Sequence, residues 1–209
     1  MKTLIEQFNE AERKRAAEIN KILPNFAVRE QAAMKGTYIL TLANVETDEA
    51  KSWERAAAEA RDRGDTRAAK GYMDLLNNKY GLVPQVVHNL IPTVGRAVLA
   101  SRLANDTTYT GIVNKVALGS GTTPAANGDT TLGTEVYRNN AASLTAANNI
   151  AYITGFFTAA EVNGTFAEVG LFIDGTASAN TGQLFSRALS SITKSAIQTL
   201  TVDWIVTLT

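Results

Sequence analysis

The chain of 209 residues contains no cysteine, one histidine (His88) and four prolines. Without cysteine, disulfides and thiolate zinc sites are excluded. With one histidine, a Ser-His-Asp triad or a His-rich metal site must use His88 or do without it. His88 lies in PQVVHNL, no GxSxG elbow is present, and neither oriented partner of a catalytic histidine is indicated. Net charge is also lacking: 20 Lys and Arg balance 20 Asp and Glu, with a pI near 6.6. That balance argues against nucleic-acid binding driven by phosphate neutralisation. No apolar run reaches the length of a membrane span, and MKTLIEQFNEAERKR has no apolar h-region of a signal peptide. The expectation is a protein with no membrane and no nucleic-acid partner, assembled in the cytoplasm where it is made.

What is present supports a real core. The chain is 45% hydrophobic and 19% charged, outside the disordered range. Its charges are uneven. Up to Lys115 the sequence is dense in both signs, whereas beyond it only Arg138, Arg187 and Lys194 oppose Asp129, Glu135, Glu161, Glu168, Asp174 and Asp203. Thr, Ser, Asn, Gly and Ala take their place. This shift predicts two regions, a helical one over 1–83 and a β domain over 84–209 with a short leading helix.

In the first region, Leu4, Phe8, Ala11, Ile19 and Ile22 line one side of a predicted helix over 4–23, which Pro24 ends. Arg15 interrupts the stripe, so no long coiled coil is expected. The stretch 26–42 is mixed: Ala32-Ala33-Met34 reads as helical and TYILTL (Thr37–Leu42) as extended. Thr47 or Asp48 then caps a helix carrying Ala50, Trp53, Ala56, Ala57 and Ala60. Arg63-Gly64-Asp65 breaks it, and a second helix runs to Gly81. As an adhesion motif this Arg-Gly-Asp is a three-letter chance match, because its glycine already has a role in the turn.

In the second region a short helix follows Pro92 within NLIPTVGRAVLASRL (Asn89–Leu103). Strands are predicted over Ile112–Leu118, Thr134–Arg138, Ile150–Phe157, Thr165–Ile173, Gln183–Ser190 and Leu200–Leu208. In the last, Leu200, Val202, Trp204, Val206 and Leu208 alternate with Thr201, Asp203 and Thr207, the signature of a sheet with one face in a core. Asn163-Gly164 predicts a two-residue hairpin turn before Thr165, since both central positions of a type I′ turn need positive φ. The fold expected is α+β: an N-terminal helical region, then an antiparallel β-sandwich or flattened barrel.

EVGLFIDG, LFSRAL, the Thr193-Lys194 pair and a Trp-bearing last strand together resemble a domain of tailed-bacteriophage structural proteins, the tail-fibre, baseplate and neck-associated components. Val116–Arg138 and the NLIPTVGRAVLASRL segment fit the same pattern, so the resemblance covers about Val87 to Thr209. It implies a virion building block, with other virion proteins and copies of itself (a trimer or a ring) as partners and no cofactor.

The remaining motifs carry little chemistry. GSGTTPAANG lacks the Lys and the following helix of a phosphate loop. Asn105-Asp-Thr and Asn163-Gly-Thr match the glycosylation sequon, without consequence where no signal peptide is expected. Phage fibres can cleave glycans with paired carboxylates, for which Glu135, Glu161, Glu168 and Asp203 are the candidates. Glu168, within FAEVGLF, is expected to share a buried face with Phe166, Gly170 and Phe172, and a buried carboxylate needs a partner. The expectation is a structural ion pair from Glu168 to Arg187 or Arg138, which would lower the carboxyl pKa and remove a general acid. Tyr109, Tyr137, Tyr152 and Phe157 are the aromatics available to stack on a host glycan. The sequence is thus read as a non-enzymatic virion component, with two rivals. One is a host-surface binding module using loops Gly119–Asp129 and Asp174–Gly182; the other is a polysaccharide-cleaving enzyme.

Overall fold

The computed structural model describes residues 34–208; the helix expected over 4–23 lies outside them. β1 (Lys35–Asn44) leads into an α-hairpin of α1 (Asp48–Asp62) and α2 (Thr66–Tyr80), which is followed by β2 (Gln85–His88) and α3 (Thr93–Leu103). β3 (Val113–Gly119), β4 (Glu135–Ala147), β5 (Ile150–Phe157), β6 (Gly164–Ile173), β7 (Gln183–Lys194) and β8 (Gln198–Thr207) complete the chain.

The helix boundaries follow from their caps. The Thr47 side chain accepts from Ala50 N at 3.2 Å, and Asp65 accepts from Ala68 N at 3.0 Å, each satisfying an otherwise orphaned donor. Asp48 and Glu49 sit in the first turn of α1 and Arg61 in its last, as the helix dipole favours. Gly64, at φ 73°, makes the link between the two helices. Arg63-Gly64-Asp65 is therefore turn and cap.

All eight strands pair antiparallel in the order β2-β1-β8-β5-β4-β3-β6-β7. The two ends of that order meet. Leu90, just beyond β2, exchanges both backbone hydrogen bonds with Arg187 of β7, each 2.9 Å long. The result is a nearly closed barrel, which removes most of the exposed sheet edge. β4 turns the corner: Glu135–Asn140 pairs with β3 and Ala141–Ala147 with β5, with a register shift between Ala141 and Ser143. A bulge of this kind bends a strand and increases its twist.

The barrel interior holds Tyr38, Val116, Leu118, Val169, Leu171, Phe185, Val202 and Trp204, all at most 6% exposed. Each such side chain contributes about 1.5–3 kcal/mol of burial. Phe185 meets Trp204 edge-on at 5.5 Å between centroids. A second core lies outside the sheet, where the alanine-lined faces of α1 and α2 (Ala50, Ala57, Ala60, Ala69) come down on Ala43, Ala142 and Phe156. Small residues allow this close approach, and they explain why Thr199 and Thr201, on the outer face of β8, are also buried.

Four expectations are corrected. The boundary at 83/84 does not divide the described residues: β1 pairs with β8 from Lys35 to Asn44 and also with β2, so the α-hairpin is an insertion between two adjacent strands. Asn163-Gly164 forms no hairpin. The partners of β5 are β4 and β8, those of β6 are β3 and β7, and the chain between β5 and β6 crosses from one part of the barrel to another. The two-residue turn is instead Asn148-Asn149, between β4 and β5, with Asn148 at φ 54°. Phe166 does not share the face of Glu168: the register shifts between them, sending Phe166 inward and leaving Glu168, Gly170 and Phe172 outside the barrel. Leu208, finally, is 52% exposed at the end of the alternating stripe of β8.

Candidate functional site

Glu168 is the centre of the most connected polar group in the described residues. Its side chain is fully buried, and Arg187 Nε donates to its Oε2 at 2.8 Å. Three backbone N–H groups of the β3–β4 loop join it: Gly121 at 2.9 Å, Thr134 at 2.7 Å and Gly133 at 3.0 Å. Arg187 uses its other nitrogens on Asp129 Oδ2 (2.7 Å) and Thr123 O (2.9 Å). Burial pushes the Glu168 pKa up, but the Thr134 and Gly133 N–H groups and the Arg187 guanidinium outweigh it and hold the carboxyl below its ordinary value. The glycine-rich segment is thereby explained. Its Gly121 N–H meets a carboxylate of the protein itself, and a Cβ at Gly121 would lie 2.4 Å from Glu168 Oε1.

Arg138, the other candidate partner of Glu168, pairs elsewhere. It makes a two-pronged bond to Glu135 at 2.5 and 2.7 Å and stacks 4.5 Å above the Phe172 ring. Its Nη1 donates to Thr181 O at 3.0 Å, while Glu135 accepts from Asn180 N at 2.9 Å, so this pair holds the β6–β7 loop. Arg138 and Glu135 lie three residues apart on one strand, and the bulges and loops that set their surroundings leave no local sequence signal.

A third pair fastens the β5–β6 connection. Arg61 of α1 donates to both Glu161 oxygens at 3.0 Å and to Phe156 O at 2.9 Å. Burial raises the Glu161 pKa, but Arg61, the Thr158 N–H and Asn139 bring it below the ordinary value. Beside it, the Lys194 ammonium, in a residue only 1% exposed, donates to Ala159 O, Glu161 O and Asn163 Oδ1 at 3.3, 2.9 and 2.8 Å. Burial pushes Lys194 down to about 8, opposed by Glu54 and Glu161. Sequence reasoning missed both cations, which lie far along the chain from the loop they hold.

Three of the four candidate carboxylates, Glu135, Glu161 and Glu168, are thus each paired with an arginine. Asp203 has no arginine partner among the described residues; burial raises its pKa, and the Thr154 hydroxyl at 2.7 Å opposes the rise. His88 is exposed on β2, 3.4 Å from Thr37 Oγ1, and no group of three or more metal-ligating side chains occurs among the described residues. Of the aromatics, Phe157 is fully buried, Tyr137 packs on it at 6.0 Å, Tyr109 is half-buried against the main core and Tyr152 lines a surface cleft. They form no stacking platform.

The architecture is that of a nearly closed antiparallel barrel in which the β3–β4, β5–β6 and β6–β7 connections are each held by an Arg–Glu pair. No family model matches the sequence, nor does any curated protein or solved structure.

Proposed function

We propose that the chain is a non-enzymatic structural component of a tailed-phage virion, in a tail fibre, baseplate or neck collar. It acts by self-assembly, as a trimer or a ring, and by docking to neighbouring virion proteins after synthesis in the bacterial cytoplasm. The residue pattern from Val87 onward supports this reading, and one observation carries it: Glu168 accepts from three backbone N–H groups of the β3–β4 loop while Arg187, bonded to it, donates to Asp129 and Thr123 of the same loop, so the pair holds that loop in one shape. A surface set in advance suits assembly through many weak contacts, because little loop entropy is lost on docking. Sedimentation equilibrium of the full-length chain tests it. A trimer or larger ring at micromolar concentration is expected; a monomer across that range overturns self-assembly.

The host-surface reading draws on the same rigidity, since the β3–β4 and β6–β7 loops are both pinned and present fixed shapes to a receptor. Binding to a host glycan or surface protein that is lost on replacing either loop would favour it over assembly.

A further inference from the structure

Unlike Glu135, Glu161 and Glu168, Asp203 is paired with no arginine among the described residues. It sits on the outer face of β8, paired across the strands with Ile39 of β1 and Thr154 of β5. Thr154 donates to Oδ1, and Oδ2 accepts from no group among the described residues. The α-hairpin stops short of covering this part of the sheet. Between α2 and the strands a cleft of about 240 Å³ remains, lined by Ile39, Tyr152, Ile205 and Thr145, with Asp203 and Lys70 beside them. Lys70, the cation of the cleft, is itself paired with Asp74 on the same helix. Two carboxylates facing one ammonium leave a net negative charge.

We propose that this cleft binds a primary ammonium group on a short aliphatic stem. The ammonium donates to the open Asp203 oxygen, and the stem lies along Ile39, Ile205 and the Tyr152 ring, whose face also attracts a cation. The volume agrees: an apolar cavity of about 150 Å³ takes one benzene ring, so a four-carbon chain fits with room for its charged head. This site is independent of the assembly role.

The test is an NMR titration of the full-length protein with n-butylammonium, with n-butanol as neutral analogue and Nα-acetyl-lysine N-methylamide as a lysine side chain. Saturable one-to-one shifts confined to the amides around Thr154, Asp203 and Ile205 are expected with butylammonium, with n-butanol at least ten times weaker. Asp203→Asn keeps the size and removes the charge, and should abolish binding while leaving the rest of the spectrum in place. Lys70→Gln, on the helix surface, removes the competing cation and should tighten binding severalfold. Equal binding of the alcohol, retention of binding by Asp203→Asn, weaker binding by Lys70→Gln, or shifts that never saturate would each overturn the proposal. Binding of the lysine derivative as well as butylammonium assigns the site to a protein lysine; binding of butylammonium alone assigns it to a free amine.

Discussion

Arg187 Nε lies 2.8 Å from Glu168 Oε2, on the outer face of two neighbouring strands and beneath a loop that closes over both. Neither side chain is more than 3% exposed. A buried ion pair is weak evidence of net stabilisation, because its desolvation cost rivals its attraction. Removing one partner is a different matter, since the charge left behind stays buried with part of its hydrogen bonding lost.

Glu168→Ala takes the acceptor from Arg187 Nε and from three backbone N–H groups at once, leaving Asp129 as the one carboxylate on Arg187 among the described residues. The expected loss is about 3–5 kcal/mol, read as a lower urea midpoint. Glu168→Gln should lose less, because an amide oxygen still accepts from part of the loop. An alanine variant that unfolds at the wild-type midpoint would remove the pair from any structural role.

Acid should act through the same group. The folded-state pKa values of Glu168 and Glu161 lie below the ordinary 4.5, so the unfolded chain binds protons first as pH falls. The stability these carboxylates contribute is complete above the ordinary value and is lost as pH drops through their folded values. Denaturation curves measured down to acid pH should show that decline, and Glu168→Gln should flatten it.

At alkaline pH the sign reverses for Lys194. Its folded pKa, about 8, is below the ordinary 10.5, so between these values the unfolded chain holds a proton that the folded one has released. Stability should therefore gain a rising contribution from about pH 8 to 10.5. Lys194→Met should remove it, as seen in melting temperature against pH relative to wild type.

Arg138→Lys keeps the charge but loses the two-pronged bond to Glu135 and the stacking on Phe172. A loss of about 1.5–3 kcal/mol is expected. Faster amide exchange should be confined to the β6–β7 loop that Arg138 and Glu135 hold. Uniformly faster exchange would mean that the pair supports the barrel as a whole.

Gly95 lets α3 rest directly on β7: a Cβ there would stand 2.8 Å from Phe185 O and 2.9 Å from Phe185 Cα. Gly95→Ala improves helix propensity by about 1 kcal/mol, while overpacking costs about 1–3 kcal/mol. The obstructing atoms are backbone and cannot rotate aside, so net destabilisation is expected by calorimetry. A higher melting temperature would show that α3 is free to shift.

Much of the local structure was legible in the sequence. The alternation of Leu200, Val202, Trp204 and Val206 marks a strand with an inward face, and these residues fill the barrel. Thr47, one of two candidate caps with Asp48, marks a helix start because a side-chain oxygen must meet free N–H groups within three residues. The need of a buried Glu168 for a cation is equally a property of the residue itself. Such signals depend on neighbours along the chain, and a single sequence displays them.

Tertiary structure decided which strand lies beside which. Asn163-Gly164 has the chemistry of a tight turn, yet β5 and β6 each have other partners, so the turn had no ladder to close. The outward bulge after Phe166, the choice of Arg187 over Arg138 for Glu168, and the pairing of β1 with the last strand all follow from contacts between distant segments. Alternation tells a strand which face to bury and is silent on its neighbours, because every antiparallel pair offers the same backbone groups. Which neighbours each strand took was settled when the whole barrel closed around Tyr38, Phe185 and Trp204.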